Sequence, residues 1–333
     1  MVKIVLAGGA GNVGREVLEA LLAEGKHEIK VFSRKEVPDL SSEGVTVNVV
    51  DYSDKAALVN ALEGVDTVLS FIITFNDPNN QSQINLIDAC IEAGVRRFAP
   101  SEWATRSHCG MPAYEGKDQV YDYLREINKE KKVLEFTLFQ CGLFLNYFSY
   151  PHPSAKFMQI FPMPIDVENC RAIIHKDTKA QITLTSVQDL ARIVTKAVDY
   201  ESAWPEVSGV RANQMPVLDF IKLCEKIRGS SISNYAYELY INAIFCRKKF
   251  IVESVEKSDL EKGILTSSWF PVIVHSSVSE DLRDAFSQSY FSAFILALER
   301  GGWNASNEWN ELLPKFCFTY AEEFLSNVWK HGP

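Results

Sequence analysis

The sequence predicts an α/β protein with a doubly wound parallel sheet and, after it, a smaller α+β domain. Short apolar runs of strand length alternate with segments of helical periodicity from residue 2 to residue 145. Closely spaced glycines follow the first of these runs. After residue 150 the alternation gives way to a segment that is interrupted by prolines, which indicates a change of architecture.

The N-terminal half contains six predicted strands and four predicted helices. The strands are predicted at 2–7, 29–32, 45–50, 67–73, 97–99 and 136–139. The helices are predicted at 12–24, 54–62, 83–93 and 114–128. Because strands and helices alternate at this spacing, the strands are expected to run parallel, with helices on both faces of the sheet.

The C-terminal half has a weaker pattern. Helices are predicted at 185–198, which opens with the capping pattern of Ser186 and Asp189, and at 217–228 and 319–329. The segment 265–310 is rich in aromatic residues and serine but has no clean period. The sequence therefore predicts no element there.

Composition excludes several classes of function. The net charge of −9 and the lack of a long basic stripe argue against nucleic-acid binding. No apolar run reaches the length of about 18 residues that a membrane span needs. The N-terminus does not resemble a secretion signal, so a cytoplasmic location is expected. The seven cysteines are scattered without metal-ligand spacing, so reduced thiols and no metal site are expected.

The strongest motif is a glycine-rich turn that follows the first strand and opens the first helix. Its glycines, Gly8, Gly11 and Gly14, have the spacing of a dinucleotide-binding fingerprint. Gly8 would permit the tight turn, Gly11 would let a pyrophosphate approach the backbone, and Gly14 would let the helix pack closely on the strand. The N–H groups near Asn12 and Val13 would point at the phosphates. The motif predicts a Rossmann-type domain that binds a dinucleotide.

The end of the second strand indicates which dinucleotide is bound. Proteins that bind NAD tend to place an acid about 20 residues beyond the fingerprint, whereas this chain has Ser33, Arg34 and Lys35. The guanidinium of Arg34, helped by its two neighbours, could hold the 2′-phosphate of NADP(H). An ordinary surface arginine is the alternative. Asp51 could accept a hydrogen bond from adenine or could cap the following helix, and the sequence leaves both open.

Further contacts are expected beyond the carboxyl ends of the later strands, where ligands of open α/β sheets bind. The predicted contacts there are Phe71, Ile72, Ile73, Ser101, Glu102, Gly142, Leu143 and Phe144. Six aromatic residues also lie between positions 136 and 150. If some of them line the cleft, the substrate is largely apolar or aromatic.

Lys117, near the start of the helix predicted at 114–128, is the main candidate for catalysis. Beside a nicotinamide ribose it could hold the cofactor, or relay a proton if burial lowers its pKa. An exposed helix lysine is the alternative. Tyr121 lies one turn further on the same face and could share the site, as could Ser101. The Tyr-x-x-x-Lys pair of many reductases is absent, because Ala113 stands four residues before Lys117.

Together with Arg97-Phe98-Ala99-Pro100-Ser101-Glu102-Trp103 and Gly116-Lys117, these motifs resemble the NmrA-like and isoflavone-reductase-like group of atypical short-chain dehydrogenases. The resemblance spans roughly residues 1–230, and the remaining residues look like the C-terminal part of fungal members. It implies an NADP-binding Rossmann domain at 1–150, to which a helix near 186–200 returns. It also implies a substrate-binding domain at 151–333.

The resemblance implies two kinds of function. Some members are NADPH-dependent reductases of hydrophobic or aromatic secondary metabolites. In these members hydride leaves nicotinamide C4, and the lysine matching Lys117 binds the cofactor and takes part in proton transfer. Others are NADP(H) sensors that bind a regulatory protein and catalyse nothing. A non-redox isomerase or cyclase on the same fold is a third alternative, and a homodimer is compatible with each of them.

Overall fold

A six-stranded parallel sheet forms the centre of the N-terminal half of the chain. The computed structural model describes residues 1–73, 77–230, 249–274 and 278–329. The strands of the sheet are β1 (Lys3–Ala7), β2 (Glu28–Ser33), β3 (Thr46–Val49), β4 (Thr67–Ser70), β5 (Arg97–Ala99) and β6 (Glu135–Phe136). They lie in the order β3-β2-β1-β4-β5-β6, and every neighbouring pair is parallel. The strand order reverses between β1 and β4, which is the switch point of a Rossmann-type sheet. The predicted fold class is confirmed.

The helices of this half also follow the prediction, with ends that shift by a few residues. They are α1 (Asn12–Glu24), α3 (Lys55–Ala61), α4 (Gln81–Glu92) and α5 (Glu115–Ile127), and the short α2 (Pro38–Ser42) was not predicted. The strand predicted at 67–73 ends earlier, at Ser70, so that Phe71, Ile72 and Ile73 form a loop beyond the sheet.

The strand predicted at 136–139 is divided in two. The chain leaves the sheet after β6, and β7 (Leu138–Gln140) pairs instead with β12 (Val207–Gly209). Thr137 marks the division, because its hydroxyl hydrogen-bonds the carbonyl of Pro205 and the hydroxyl of Ser208, each at 2.6 Å. Periodicity could not predict this, since the partner strand lies far along the chain.

The C-terminal half combines small sheets with helices. Its other strands are β8 (Leu143–Phe144), β9 (Ile165–Asp166), β10 (Arg171–His175), β11 (Gln181–Thr185), β13 (Asn213–Pro216) and β14 (Ile251–Val255). They form two sheets of three strands, in the orders β14-β10-β9 and β13-β11-β8. Its helices are α6 (Val187–Asp199), α7 (Val217–Ser230), α8 (Lys257–Leu260), α9 (Arg283–Glu299), α10 (Glu308–Leu312) and α11 (Ala321–Trp329). None of the described helices is long and apolar enough to cross a membrane.

Helix α6 packs against α1 of the N-terminal half. The hydroxyl of Ser186 accepts a hydrogen bond from the N–H of Asp189 at 3.1 Å, so the predicted capping residue begins this helix. Leu190 and Val194 of α6 share one buried apolar cluster with Leu18 of α1. The two halves of the chain are thus joined by a common core.

Helix α9 occupies much of the segment for which no element was predicted. Phe291, Phe294, Ile295 and Leu298 are buried in the core of the C-terminal half. Leu296 on another face of the same helix is also buried. A helix that is covered on most of its faces has no single apolar stripe, and this explains the missing period.

The glycine-rich turn is packed tightly against the residue that follows β4. A Cβ atom on Gly14 would lie 2.9 Å from Cγ of Phe71 and 3.0 Å from the carbonyl oxygen of Gly8. Gly8 itself has a φ of +79°, which favours glycine. The ring of Phe71 in turn stacks on Trp103, with 4.5 Å between the ring centroids. The glycines at these two positions therefore allow the close approach of α1 to the sheet.

Replacing Gly14 by alanine is expected to lower the free energy of unfolding by about 1–3 kcal/mol, because the new methyl group must displace the Phe71 ring or the Gly8 carbonyl. Urea unfolding measures the loss. Gly11→Ala is the matched control, since a Cβ atom there meets no atom within 4 Å. Only the lower preference for alanine at the N-cap of α1 acts there, so the loss should be about 1 kcal/mol or less. Equal losses in the two variants would contradict the packing role of Gly14.

Candidate functional site

An open cleft of about 510 Å³ lies beyond the carboxyl ends of β1, β2 and β4. It is lined by Gly8, Phe32, Ser33, Arg34, Lys35, Tyr52, Phe71, Ile72, Ile73 and Ser82. Seven of the residues that the sequence predicts as contacts of the nucleotide line this cleft, namely Gly8, Ser33, Arg34, Lys35, Phe71, Ile72 and Ile73. Beside the cleft, at the start of α1, Gly11 leaves open space where a side chain would stand. An exposed backbone at a helix N-terminus suits a pyrophosphate.

Two exposed cations stand at the end of β2. Within the described ranges, neither Arg34 nor Lys35 forms an ion pair, although many other cations of the chain do. The backbone N–H of Lys35 is tied to the hydroxyl of Ser33 at 3.3 Å, which holds the turn. Unpaired cations on a cleft wall fit an anionic ligand group.

Tyr52, which follows β3, is a cleft residue that the sequence analysis missed. Its hydroxyl oxygen is buried and has no hydrogen-bond partner among the residues the structure describes. Burial raises the pKa of this phenol, and the nearby charge of Arg34 offsets that rise only in part. The hydroxyl therefore stays protonated and is available as a donor to a ligand. A cradle of glycine backbone, free cations and an unsatisfied hydroxyl together fit a phosphorylated dinucleotide.

Asp51 lies just before Tyr52 and does not cap the following helix. Its carboxylate accepts hydrogen bonds from the N–H and the hydroxyl of Ser53, at 2.8 and 2.7 Å. These hydrogen bonds lower the pKa of Asp51. The cap of α3 is Asp54, which accepts from the N–H of Ala57 at 2.9 Å. Asp51 is not among the residues that line the cleft, and a contact with adenine stays a prediction.

A second pocket, of about 250 Å³, meets the cleft at Ile73, which lines both. Its other lining residues are Val13, Ser101, Trp103, Ala104, Tyr114, Lys117, Gly142, Leu143, Phe144, Tyr147, Phe161, Met163, Tyr290, Phe294 and Trp303. Half of the lining residues are aromatic. This composition suits a flat apolar ligand with a few polar groups. The predicted residues Val13, Ser101, Lys117, Gly142, Leu143 and Phe144 all belong to this pocket.

Lys117 stands on the wall of this pocket in the first turn of α5. Its Nζ donates a hydrogen bond to the backbone carbonyl of Glu102 and lies 4.4 Å from the centroid of the Tyr114 ring. Burial lowers the pKa of Lys117, and the charge of Glu102 counteracts part of this effect. A lysine whose pKa is lowered exchanges protons more readily near neutral pH. The carbonyl and the aromatic face hold its ammonium in place.

The carboxyl group of Glu102 is buried and lies outside the lining of the pocket. The residue is 2% exposed, and its Oε1 has no hydrogen-bond partner among the described residues. Burial raises the pKa of Glu102 to about 7, against the lowering effect of Lys117. The sequence predicts Glu102 as a contact of the cofactor. In the structure, by contrast, it holds Lys117 through its carbonyl and acts on the charge of Lys117 through its carboxyl.

Tyr121 does not line the pocket, although it shares a helix face with Lys117. Its hydroxyl donates to Oε1 of Glu206 at 2.6 Å, and its ring packs edge-on against Phe136. Of α5, only Lys117 in the first turn lines the pocket. One turn further along the helix, Tyr121 contacts Phe136 of β6 and Glu206 instead. The placement of Tyr121 in the catalytic site is therefore corrected, and three other tyrosines, Tyr114, Tyr147 and Tyr290, line the pocket instead.

The wall formed by Tyr290, Phe294 and Trp303 was not predicted from the sequence. These residues come from α9 and the loop that follows it. Their segment has no clean period and lies far from Lys117 along the chain. Of the aromatic residues between 136 and 150, Phe144 and Tyr147 reach the pocket, whereas Phe139 stacks within the core at 5.2 Å from Trp103.

Comparison with known proteins agrees with this geometry. The sequence profile of the NmrA-like family matches residues 2–243. This chain belongs to the NmrA-like family. The family resemblance inferred from the motifs is thereby confirmed.

Relatives of this NmrA-like protein include fungal and plant proteins. An oxidoreductase of Metarhizium robertsii, swnN, is 27% identical over 99% of this chain and 98% of its own length. An isoflavone reductase-like protein of Olea europaea is 24% identical over 97% of each chain. Pinoresinol reductase 1 of Arabidopsis thaliana is 26% identical over 69% of this chain and 75% of its own.

Solved structures share the fold of this NmrA-like protein. The NADPH complex of the quinone oxidoreductase QOR2 from Escherichia coli superposes with a TM-score of 0.67, at 17% identity, over 98% of this chain and 99% of its own. AtPrR2 with NADP+ and (+)-pinoresinol also has a TM-score of 0.67, at 19% identity, over 98% of each chain. These likenesses support the assignment of the fold.

The buried carboxyl of Glu102 is expected to make stability depend on pH. Its pKa rises from 4.5 to about 7 on folding, so the folded protein binds this proton more tightly than the unfolded chain does. The contribution of Glu102 to stability is thus greatest below about pH 4.5 and falls as the pH rises to about 7. Between these two pH values the free energy of unfolding falls by about 3 kcal/mol because of Glu102. Glu102→Gln removes the titrating group and therefore this decrease.

Chemical unfolding at pH about 5 and about 8 measures the effect. The Glu102→Gln substitution should raise the free energy of unfolding relative to wild type more at the higher pH than at the lower. Glu126→Gln, which changes an exposed glutamate on the same helix as Lys117, is the control and should show no such difference. A Glu102→Gln effect that is the same at both pH values would contradict the raised pKa.

Proposed function

We propose that this NmrA-like protein is an NADP(H)-dependent oxidoreductase that reduces a hydrophobic or aromatic substrate. One observation carries the proposal: the aromatic pocket that contains Lys117 meets the cradle of the nucleotide at Ile73. A ligand in the pocket would therefore lie beside the nicotinamide end of a nucleotide in the cleft. The oxidoreductases and pinoresinol reductases among the relatives support the same conclusion.

We assign parts of the nucleotide to several residues in and beside the cleft. The turn from Gly8 to Gly11 and the first N–H groups of α1 receive the pyrophosphate. Arg34 and Lys35, with the hydroxyl of Ser33, hold the 2′-phosphate, which is the group that distinguishes NADP(H) from NAD(H). The backbone near Phe71 packs against the glycine turn and shapes the floor of the cleft.

The pocket residues carry the proton chemistry and the selection of the substrate. When bound, NADPH supplies a hydride from C4 of its nicotinamide. Lys117 donates a proton to the substrate atom that becomes electron-rich, so that the reduced double bond gains one hydride and one proton. Ser101 orients the substrate through its hydroxyl. The aromatic walls exclude water, which strengthens both polar interactions.

The pocket also favours a reductase over the other functions that the family resemblance implies. A sensor needs a site for the nucleotide and a surface for its partner, but it has no need of an aromatic cavity next to an inward-facing lysine. A non-redox isomerase or cyclase has no need of cations arranged for a 2′-phosphate. The combination of cleft and pocket supports hydride transfer to a bound substrate.

Replacing Arg34 by alanine is expected to weaken NADPH binding about 10- to 100-fold, because charge-assisted hydrogen bonds to the 2′-phosphate are lost. The affinity for NADH should stay within about twofold. Titration calorimetry with both nucleotides measures the change. Lys129→Ala removes one positive charge from the surface beyond α5 and is the control. An equal loss for both nucleotides, or no heat with NADPH in the wild type, would contradict the assignment.

Replacing Lys117 by alanine should lower kcat at least about 100-fold, the usual contribution of a general acid. The assay follows NADPH absorbance with a panel of aromatic enones, imines and quinones. Tyr121→Phe is the control and should keep wild-type turnover, because its hydroxyl is engaged by Glu206 outside the pocket. Unchanged turnover in the Lys117 variant would remove its assigned role.

A further inference from the structure

Helix α9 brings a phenol into the pocket from the part of the chain that carries no motif. Tyr290 lines the same cavity as Lys117 and Ser101. The Tyr-x-x-x-Lys pair is missing because Ala113 stands at the position of its tyrosine. The pocket is nevertheless equipped with phenol groups, which come from different elements of the fold.

Tyr290 is linked to Lys117 through Tyr114. The hydroxyl groups of Tyr290 and Tyr114 are close enough to each other that each affects the pKa of the other. The face of the Tyr114 ring, in turn, lies 4.4 Å from Nζ of Lys117. The ring of Tyr114 thus stands between the two groups. The pocket thus carries polar groups on both sides of the Tyr114 ring: Lys117 on one side and the hydroxyl of Tyr290 on the other.

Packing holds the ring of Tyr290 in position. Its centroid lies 5.3 Å from that of Phe291 and 6.0 Å from that of Phe286 on the same helix. One turn further, Phe294 packs on Trp303 with 4.7 Å between centroids. The helix is also tied to the N-terminal half, because the guanidinium of Arg300 donates to the carbonyl of Gly110 at 2.9 Å. The phenol is therefore presented on a rigid support.

The hydroxyl pair has unused hydrogen-bonding capacity. A phenol donates one hydrogen bond and can also accept, so two neighbouring phenols keep at least one donor for a ligand, whichever of them donates to the other. Within the described ranges, no other side chain or backbone group hydrogen-bonds either hydroxyl. A purely apolar ligand would remove water from this donor without offering it an acceptor, and its affinity would be lower for that reason. A ligand oxygen next to the pair would satisfy it.

We propose that Tyr290 contacts the substrate and determines specificity, by donating a hydrogen bond to a neutral oxygen that lies about one aromatic ring away from the reduced bond. This inference rests on the proposed function, because it takes the Lys117 end as the site of reduction. Burial raises the pKa of Tyr290. The phenol therefore keeps its proton and acts as a donor to the substrate, whereas Lys117 supplies the proton of the reaction.

Two probes that differ only at the far end of the molecule test this role. Benzylideneacetone has a reducible enone and an unsubstituted ring, and 4-hydroxybenzylideneacetone adds one ring hydroxyl. Calorimetry measures the binding of each to the full chain at pH about 6, with saturating NADP+ and again without nucleotide. The wild type is expected to bind the hydroxylated probe about 5- to 30-fold more tightly.

Tyr290→Phe should reduce this preference to less than about twofold, with little change for benzylideneacetone. Tyr121→Phe is the matched control, since it removes a phenol hydroxyl outside the pocket, and it should keep the wild-type preference. Tyr114→Phe removes the partner hydroxyl from a different element and should weaken the preference, which provides a second test if the Tyr290 variant does not fold.

Three results would overturn the proposal: equal affinity of the two probes for the wild type, no binding of either, or an unchanged preference in Tyr290→Phe. If the preference is unchanged in Tyr290→Phe but lost in Lys117→Met, the hydroxyl of the probe binds near Lys117 instead. The test measures binding without turnover. If the probes behave as expected but NADPH is never consumed, the reductase proposal fails while the role of Tyr290 in binding stands.

Discussion

The close contact between the glycine turn and Phe71 is the constraint on which the site depends. Only glycine at positions 8 and 14 lets the turn and α1 approach the end of β4 so closely. The ring of Phe71 stacks on that of Trp103. Trp103 is itself fixed, because its Nε1 donates a hydrogen bond to the carbonyl of Ser70 at 2.7 Å. This arrangement fixes the point at which the nucleotide cleft and the aromatic pocket meet.

The pocket exists only because both halves of the chain contribute a wall. Lys117 and Ser101 come from the N-terminal half, whereas Tyr290 comes from α9. The halves are joined by the packing of α6 on α1. The buried carboxylate of Asp189 holds α6 to the C-terminal segment, because it accepts hydrogen bonds from the N–H and the hydroxyl of Thr319. The position of the substrate relative to the nucleotide is therefore a property of the whole fold.

Burial affects Lys117 and Glu102 in opposite directions. Removal from water disfavours both charged forms, so the pKa of the lysine falls and that of the glutamate rises. Their mutual attraction works against both shifts. The result is a pair of groups that exchange protons closer to neutral pH than either would in water, at the wall of a pocket that is otherwise largely apolar. Such pairs are more common at functional sites than elsewhere in proteins.

The sequence by itself determined the parallel sheet, the glycine turn and the cations at Arg34 and Lys35, because these features depend on local periodicity and on residues that adjoin a strand. It also identified Lys117 from a short motif. Only the tertiary structure decided that Tyr121 faces Glu206 and that Tyr52 and Tyr290 reach the cavities. The reason is physical, because which side chains share a pocket depends on packing between distant segments. In addition, a buried helix such as α9 has no single apolar stripe, so periodicity in the sequence does not predict it.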